Sequence, residues 1–256
     1  MKNDGFEEKA TSSEFLQQRI RLNQNSTNNF EHWSINTMPK ISLHSNILDL
    51  GCGTGKQIES FSSLLPKTCN YVGCDISQES LNVIKESYAS SPTLELVHDS
   101  FDNMDSFLNK NVEFDLIYSF YALYYTQDLQ TLIKNIYAHL KKNGVFWVVM
   151  PYKNTNVEIF TILNKIYPID ERVLYSINGF AQDVISLASE TNFQDIEISL
   201  FENKINFTTE RDLLDYIENT TFYNKIFAKE ITEEIRNHFK NDFSLTKEVI
   251  SIKLTK

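Results

Sequence analysis

The chain has 256 residues, 41% hydrophobic and 23% charged, enough for one globular α/β domain with an inserted or appended cap. Its formal net charge of −10 argues against a nucleic-acid substrate, because phosphate backbones are held chiefly by Lys and Arg, whereas an acidic field tolerates a cationic small molecule. No apolar run approaches the roughly 20 residues of a membrane span, and neither the polar start Met1–Glu8 nor the three cysteines Cys52, Cys69 and Cys74 suggest secretion, disulfides or a metal, so a cytoplasmic protein without membrane or metal partners is expected.

Residues 1–12 read as a frayed terminus. Thr11-Ser12-Ser13-Glu14 fits a capping box and predicts a helix through about Leu22. Asn23–Asn29 is a polar break, and Phe30–Met38 predicts a short helix stopped by Pro39. From Ser45 onward strands and helices alternate. Strand Asn46–Leu50 runs into Gly51-Cys52-Gly53-Thr54-Gly55, and a helix follows from about Gly55 to Leu65. Strands Tyr71–Asp75, Leu94–His98 and Phe114–Phe120 precede helices near Glu79–Tyr88, Phe101–Leu108 and Leu129–Leu140. Lys141-Lys142 reads as a solvated helix end before strand Val145–Met150. Beyond Pro151 the pattern loosens into a connection over 152–180 with one helix near Val157–Ile166. A helix at Ala181–Glu190, a strand at Asp195–Phe201, helical periodicity over 209–240 and a last strand at Glu248–Leu254 follow. The expected fold class is α/β, a Rossmann-like, mostly parallel sheet with helices on both faces. The expected organisation is an N-terminal helical lid over 1–44 and a main domain over 45–256, with cap elements at about 152–180 and 205–245.

Three of only seven glycines stand at Gly51, Gly53 and Gly55, directly after an apolar strand. Glycine admits backbone close to a ligand and turns sharply, and strand ends are where open α/β sheets bind ligands. Asp49, Asp75 and Asp99 fall at the ends of three successive strands, evenly spaced from the glycine loop. This suits a nucleoside. A carboxylate after the second strand accepts from both ribose hydroxyls, a polar residue after the third accepts from an exocyclic adenine amine, and Ile76 offers the base an apolar wall. The bland alternative is an ordinary turn with aspartates capping helices. Nicotinamide binding is the rival for a Gly-x-Gly loop, but its fingerprint wants glycine or alanine where Lys56 stands.

Ile47–Gly55, Asp75, Asp99, the strand Phe114-Asp115-Leu116-Ile117 and Leu140-Lys141-Lys142-Asn143-Gly144 together resemble the motifs of class I S-adenosylmethionine-dependent methyltransferases, over about residues 45–150. The resemblance implies a seven-stranded sheet whose last strand is antiparallel. It implies S-adenosyl-L-methionine as cofactor, held by Asp49, Gly51, Cys52, Gly53, Gly55, Asp75, Ile76, Asp99, Ser100, Ser119 and Phe120.

Five aromatics crowd Tyr118-Ser119-Phe120-Tyr121-Ala122-Leu123-Tyr124-Tyr125, and the Asn/Asp-Pro-Pro-Tyr/Phe motif of base methylation is missing. This stretch is similar to histamine N-methyltransferase-like small-molecule enzymes, with echoes at Asn25-Ser26-Thr27, Ile162–Pro168 and Leu213–Tyr216. By that likeness Tyr124 and Tyr125 match paired pocket tyrosines. Tyr121 replaces a glutamine and Asn28 a lid glutamate, so only the class of small acceptor carries over. The implied function is transfer of a methyl group to nitrogen or oxygen of a small molecule, such as an amine. The alternatives are a peptide or protein N-methyltransferase, or a non-catalytic cofactor-binding subunit. His98 is read as structural, His139 and His238 as surface helix residues, and Tyr121 or His32 as the better-placed polar groups near the chemistry.

Overall fold

A computed structural model describes residue 9 and residues 12–22, 26–88, 93–108, 112–240 and 242–256. Most of the frayed terminus over 1–12, the capping Thr11 and Asn25 of the lid-like triplet lie outside them. Within the described chain a seven-stranded sheet runs in the order β3-β2-β1-β4-β5-β7-β6. Its strands are β1 Asn46–Leu50, β2 Asn70–Asp75, β3 Leu94–His98, β4 Phe114–Phe120, β5 Leu140–Pro151, β6 Asp195–Phe207 and β7 Phe243–Thr255. The first five pair in parallel. β7 runs against β5: Asn143 N donates to Lys256 O at 2.9 Å, whereas Tyr152 N donates to Glu248 O at 2.8 Å. The mostly parallel sheet and its antiparallel last strand are those the sequence leads one to expect.

The chain divides into two compact units. One comprises Phe30–Met150, Phe180–Leu200 and Ile250–Lys256. Here β1 and β4 are nearly continuous apolar runs, with Ile47, Leu48, Leu50, Leu116 and Ile117 at 0% exposure, as strands covered on both faces require. Helices α2 Phe30–Thr37, α3 Lys56–Phe61, α4 Gln78–Ser87, α5 Met104–Phe107, α6 Leu129–His139 and α9 Phe180–Glu190 belong to it. Ser77 caps α4 by accepting from Ser80 N at 3.3 Å, and Asp128 caps α6 by accepting from Thr131 N at 3.0 Å. Rings of Phe61, Tyr118, Phe120 and Trp147 meet edge to face or tilted, the closest pair being Phe120 and Trp147 at 4.8 Å. The Trp147 indole N–H donates to Ser251 Oγ at 2.8 Å, so the largest core side chain is satisfied.

The other unit comprises Met1–Asn29, Pro151–Gly179 and Phe201–Val249. It holds α1 Ser13–Leu22, α7 Val157–Leu163, α8 Glu171–Asn178, α10 Glu210–Glu218 and α11 Ala228–Phe239. Leu213, Ile217, Ile231 and Ile235 are fully buried at helical spacing. Phe160 meets Phe222 at 4.9 Å, and Tyr167 donates its hydroxyl to Phe222 O at 2.9 Å.

Several local expectations need correction. Lys141 and Lys142 do not end a helix. They open β5, where Lys141 Nζ pairs with Asp115 Oδ2 at 2.7 Å, and Gly144 is needed because a Cβ there would stand 2.9 Å from Lys141 O and Phe114 O. The helix after the glycine loop stops at Phe61, four residues short of Leu65. Helix α8 was not expected, and both β6 and β7 are longer than their apolar centres suggest. His139 is buried, at 5% exposure, between Val112 O and Asp105 Oδ1.

Asp49, at 1% exposure, accepts from the Tyr71 hydroxyl at 2.6 Å, and that oxygen in turn meets the Tyr118 hydroxyl at 2.6 Å. Burial pushes the Asp49 carboxyl up to about 7, with the nearby Asp75 charge adding to it and the Tyr71 and Tyr118 hydroxyls opposing it. The folded chain therefore keeps a proton that the unfolded chain releases above its ordinary carboxyl range. This group costs stability as pH rises from about 4 to about 7, and the cost is constant above that. Asp49→Asn retains the acceptor for Tyr71 and cannot ionise. In denaturant titrations the variant should gain on the wild type as pH rises from 5 to 8; a pH-independent difference would refute the shift. Ser251→Ala, which strands the Trp147 N–H, should cost about 1–3 kcal/mol in the same assay.

Candidate functional site

The carboxyl edge of β1, β2 and β3 is built by hydrogen bonds between successive strand ends. Gly51 N and Cys52 N both donate to Cys74 O, at 2.8 and 3.0 Å, which folds the glycine turn onto the end of β2. Gly51, Gly53 and Gly55 all have positive φ (78, 52 and 83°), the region only glycine enters freely. At Gly51 space is also decisive, because an added Cβ would lie 2.3 Å from Ala122 Cβ. Gly55 precedes α3 and accepts the first helical bond, from Glu59 N at 3.0 Å.

Asp75 closes this turn. Its Oδ2 accepts from Gly53 N and its Oδ1 from Ser77 N, each at 2.8 Å. Burial raises the Asp75 pKa; the bonds from Ser77 N and Gly53 N and the neighbouring His98 act in the opposite direction. Ile76 beside it is 52% exposed, an apolar side chain held at the rim. His98 bonds Ile76 O at 3.0 Å through Nε2, which ties the end of β3 to the rim and fits the structural reading. Asp99 Oδ1 accepts from Ser100 N at 2.7 Å and from Asn103 Nδ2 at 2.8 Å, while Ser100 Oγ caps the following 3-10 turn by accepting from Asp102 N at 3.2 Å.

Other expected residues lie beneath this edge. Asp49 (1% exposed) turns to Tyr71, Cys52 (2%) packs against Gly73, and Ser119 (0%) donates its hydroxyl to Leu50 O at 2.8 Å. Phe120 is buried against Trp147. These four side chains are buried beneath the edge and support it from within.

At the end of β4 the aromatic run fans outward. Tyr121 has a positive φ of 55°, donates its N–H to Val149 O at 2.8 Å and is 40% exposed. Its ring lies 5.9 Å from that of Phe30, which also meets Trp33 at 5.7 Å and Phe120 at 6.5 Å. Tyr124 and Tyr125 pair at 4.7 Å, and Tyr124 meets Phe180 edge to face at 6.3 Å. Asp102 pins this segment, accepting from the Thr126 hydroxyl at 2.5 Å and from Gln127 N at 3.0 Å. Phe30, Trp33, Asp102 and Phe180 are not singled out by the sequence; Phe30, Asp102 and Phe180 meet the run only through folding, Trp33 packs on Phe30, and the one local signal is the aromatic pair in the helix after Asn29. His32, in the same helix, is exposed and bonded to Asn36 at 3.3 Å. Asn28 belongs to the other compact unit, where its N–H donates to Asn203 Oδ1 at 2.8 Å and its amide to Glu202 O at 2.9 Å.

A methyltransferase domain model matches residues 48–146. Among curated proteins, carboxy-S-adenosyl-L-methionine synthase of Staphylococcus epidermidis is 28% identical over 129 residues, 50% of this chain and 54% of that protein. Juvenile hormone acid O-methyltransferase of Bombyx mori is 31% identical over 105 residues, 40% of this chain and 36% of that protein. The chain thus spans about half or less of these relatives. Among solved structures, phosphoethanolamine N-methyltransferase 2 of Haemonchus contortus, in complex with S-adenosyl-L-methionine, superimposes with a TM-score of 0.60 at 17% identity, covering 99% of this chain and 59% of that one. A SAM-dependent methyltransferase from Archaeoglobus fulgidus gives 0.56 at 14% identity, covering 88% and 92%. Domain match, strand order and glycine turn agree: residues 48–146 carry a methyltransferase domain, and the sheet built around it has the fold of class I S-adenosylmethionine-dependent methyltransferases.

Proposed function

We propose that this chain is an S-adenosyl-L-methionine-dependent methyltransferase that acts on a nitrogen or oxygen atom of a small molecule. The observation that carries this reading is the Asp75 carboxylate, clamped by Gly53 N and Ser77 N at the rim of the glycine turn. An ionised carboxyl has about four acceptor sites, and two backbone amides use two of them. The remainder suit the vicinal hydroxyls of a ribose. Ile76 supplies an apolar face for a base, and Asp99 Oδ2, which has no hydrogen bond among the described residues, suits an exocyclic amine. The acid-and-glycine rim therefore fits an adenosyl group on its own donor and acceptor chemistry. Asp49 and Ser119 act from below, holding the turn in place.

When bound, S-adenosylmethionine supplies a sulfonium methyl group, whose transfer to an acceptor lone pair leaves a neutral thioether. The protein's part is placement. Holding two reactants in near-attack geometry is worth about 7–11 kcal/mol at best. The rings of Tyr121 and Phe30 attract a cation by about 0.5–2 kcal/mol and exclude water, which favours a reaction that disperses charge. Tyr124 and Tyr125 serve the acceptor side. The relatives named for acid O-methylation and phosphoethanolamine N-methylation support a small acceptor. No strong general base is required, because the sulfonium is a good leaving group.

Calorimetric titration with S-adenosylhomocysteine tests the reading. Two charge-assisted hydrogen bonds lost in Asp75→Ala amount to about 3 kcal/mol, roughly a hundredfold in affinity. Circular dichroism checks that the turn's loss of its clamp has not unfolded the variant. An unchanged affinity would remove the ribose assignment.

A further inference from the structure

The unit formed by Met1–Asn29, Pro151–Gly179 and Phe201–Val249 contains a cavity of about 260 Å³. Its construction begins at the edge strand β6. Residues 26–28 add to that strand as a short antiparallel partner: Ser26 bridges Ile205, Thr27 N donates to Lys204 O at 2.9 Å, and Asn28 donates to Glu202 O. The added segment binds through Asn203, whose side-chain Oδ1 accepts from the Thr27 hydroxyl at 2.9 Å and from Asn28 N at 2.8 Å. Asn203 is 7% exposed, and its oxygen is fully used, so its amide N–H₂ is the group left to donate.

Across the cavity stands Glu248 of β7, 5% exposed. Its Oε2 accepts from Asn154 N at 3.0 Å, while Oε1 has no partner among the described residues. No Lys, Arg or His of the described residues pairs with it, and Lys204 is exposed at the cavity wall. Thr246, also on the wall, commits both its N–H and its hydroxyl to Glu158 and does not serve Glu248. A carboxylate withdrawn from water without a cation is costly. One that keeps a free oxygen facing a cavity is an acceptor built for a positively charged donor.

We propose that this cavity is a binding site for a small organic ammonium compound, with Glu248 as its counter-ion and the Asn203 amide donating to a hydroxyl, carbonyl or ether oxygen of the same molecule. The volume, just below the usual range for ligand pockets, limits the occupant to the size of an amino alcohol or amino acid. The proposal rests on the geometry of this unit alone and stands apart from the cofactor reading.

The test is calorimetric titration of the full chain, without cofactor, with ethanolamine, 2-phenylethylamine and agmatine, and with their neutral hydroxyl counterparts. At least one amine should bind, and its neutral counterpart should bind at least tenfold more weakly. Glu248→Gln keeps an oxygen for Asn154 N but places an amide where the free oxygen was; amine affinity should fall at least tenfold while S-adenosylhomocysteine affinity is unchanged. Asn203→Asp keeps the acceptor for Thr27 and Asn28 but removes the donor, so ethanolamine should lose affinity relative to 2-phenylethylamine, which has no oxygen to accept from it; an unchanged ratio would remove Asn203 from the site. The proposal is overturned if no amine binds, if neutral and charged partners bind alike, or if Glu248→Gln binds amines as the wild type does.

Discussion

The Ala122 methyl sits so close to the backbone at Gly51 that a single added carbon there would come within 2.3 Å of it. That contact presses the end of β1 against the segment leaving β4. The same turn is bonded to β2 through Gly51 N, Cys52 N and Gly53 N. Three strand ends are thereby locked into one rim. The place of Asp75, the exposure of Ile76 and the start of the aromatic run are all set by it. A rim made of backbone hydrogen bonds reorganises little when a ligand arrives, which is where binding energy is otherwise lost.

Beneath the rim the chain has kept polar groups where apolar packing would be simpler. Asp49, Tyr71 and Tyr118 form one connected network across β2, β1 and β4, and Ser119 Oγ holds Leu50 O. Among the described residues no side-chain polar atom fully shielded from solvent lacks a partner, so the network is complete. Complete networks specify one arrangement, whereas incomplete ones are costly. The raised Asp49 carboxyl marks the cost of burying an acid there. What it supports is a fixed pedestal under the glycine turn, with the acid that faces solvent, Asp75, one strand away. The two acids occupy successive strand ends yet have opposite duties, because Asp49 pairs in register with Gly73, which leaves room for inward groups, while Asp75 pairs with His98 at the open end.

The first five strands were legible because parallel strands covered on both faces read as unbroken apolar runs, and because Asp75 and Asp99 end them in register. Legibility failed where long-range contacts decide. Lys141 and Lys142 have the composition of a helix end, yet Asn143 at a φ of 63° and the crowded Gly144 turn the chain directly into β5. His139 is buried because Asp105 and Val112 come to it from elsewhere in the chain. β6 continues to Phe207 with strict alternation of buried and exposed residues, a period visible in the sequence but interrupted to the eye by Asn203 and Lys204. At the site the glycines, Asp75, Ile76 and Asp99 were readable as a motif. The inward turn of Asp49, Cys52 and Ser119 was not, since facing follows from register rather than from residue type. Glu248 was legible only as a strand residue, because its surroundings depend on the segment 26–28 folding onto β6.

Tyr121 joins these themes. A non-glycine residue in the left-handed region costs about 1–3 kcal/mol and persists only where its neighbours over-determine it. Here the N–H is held by Val149 O and the ring by Phe30, while the next residue, Ala122, is the one pressed against Gly51. The chain cannot relax Tyr121 without moving Ala122 off the glycine turn. Tyr121 stands just beyond β4, whose last five residues are all buried, and is 40% exposed. Strain at one residue thus links the aromatic surface to the glycine rim, and the cost is met by the packing on either side.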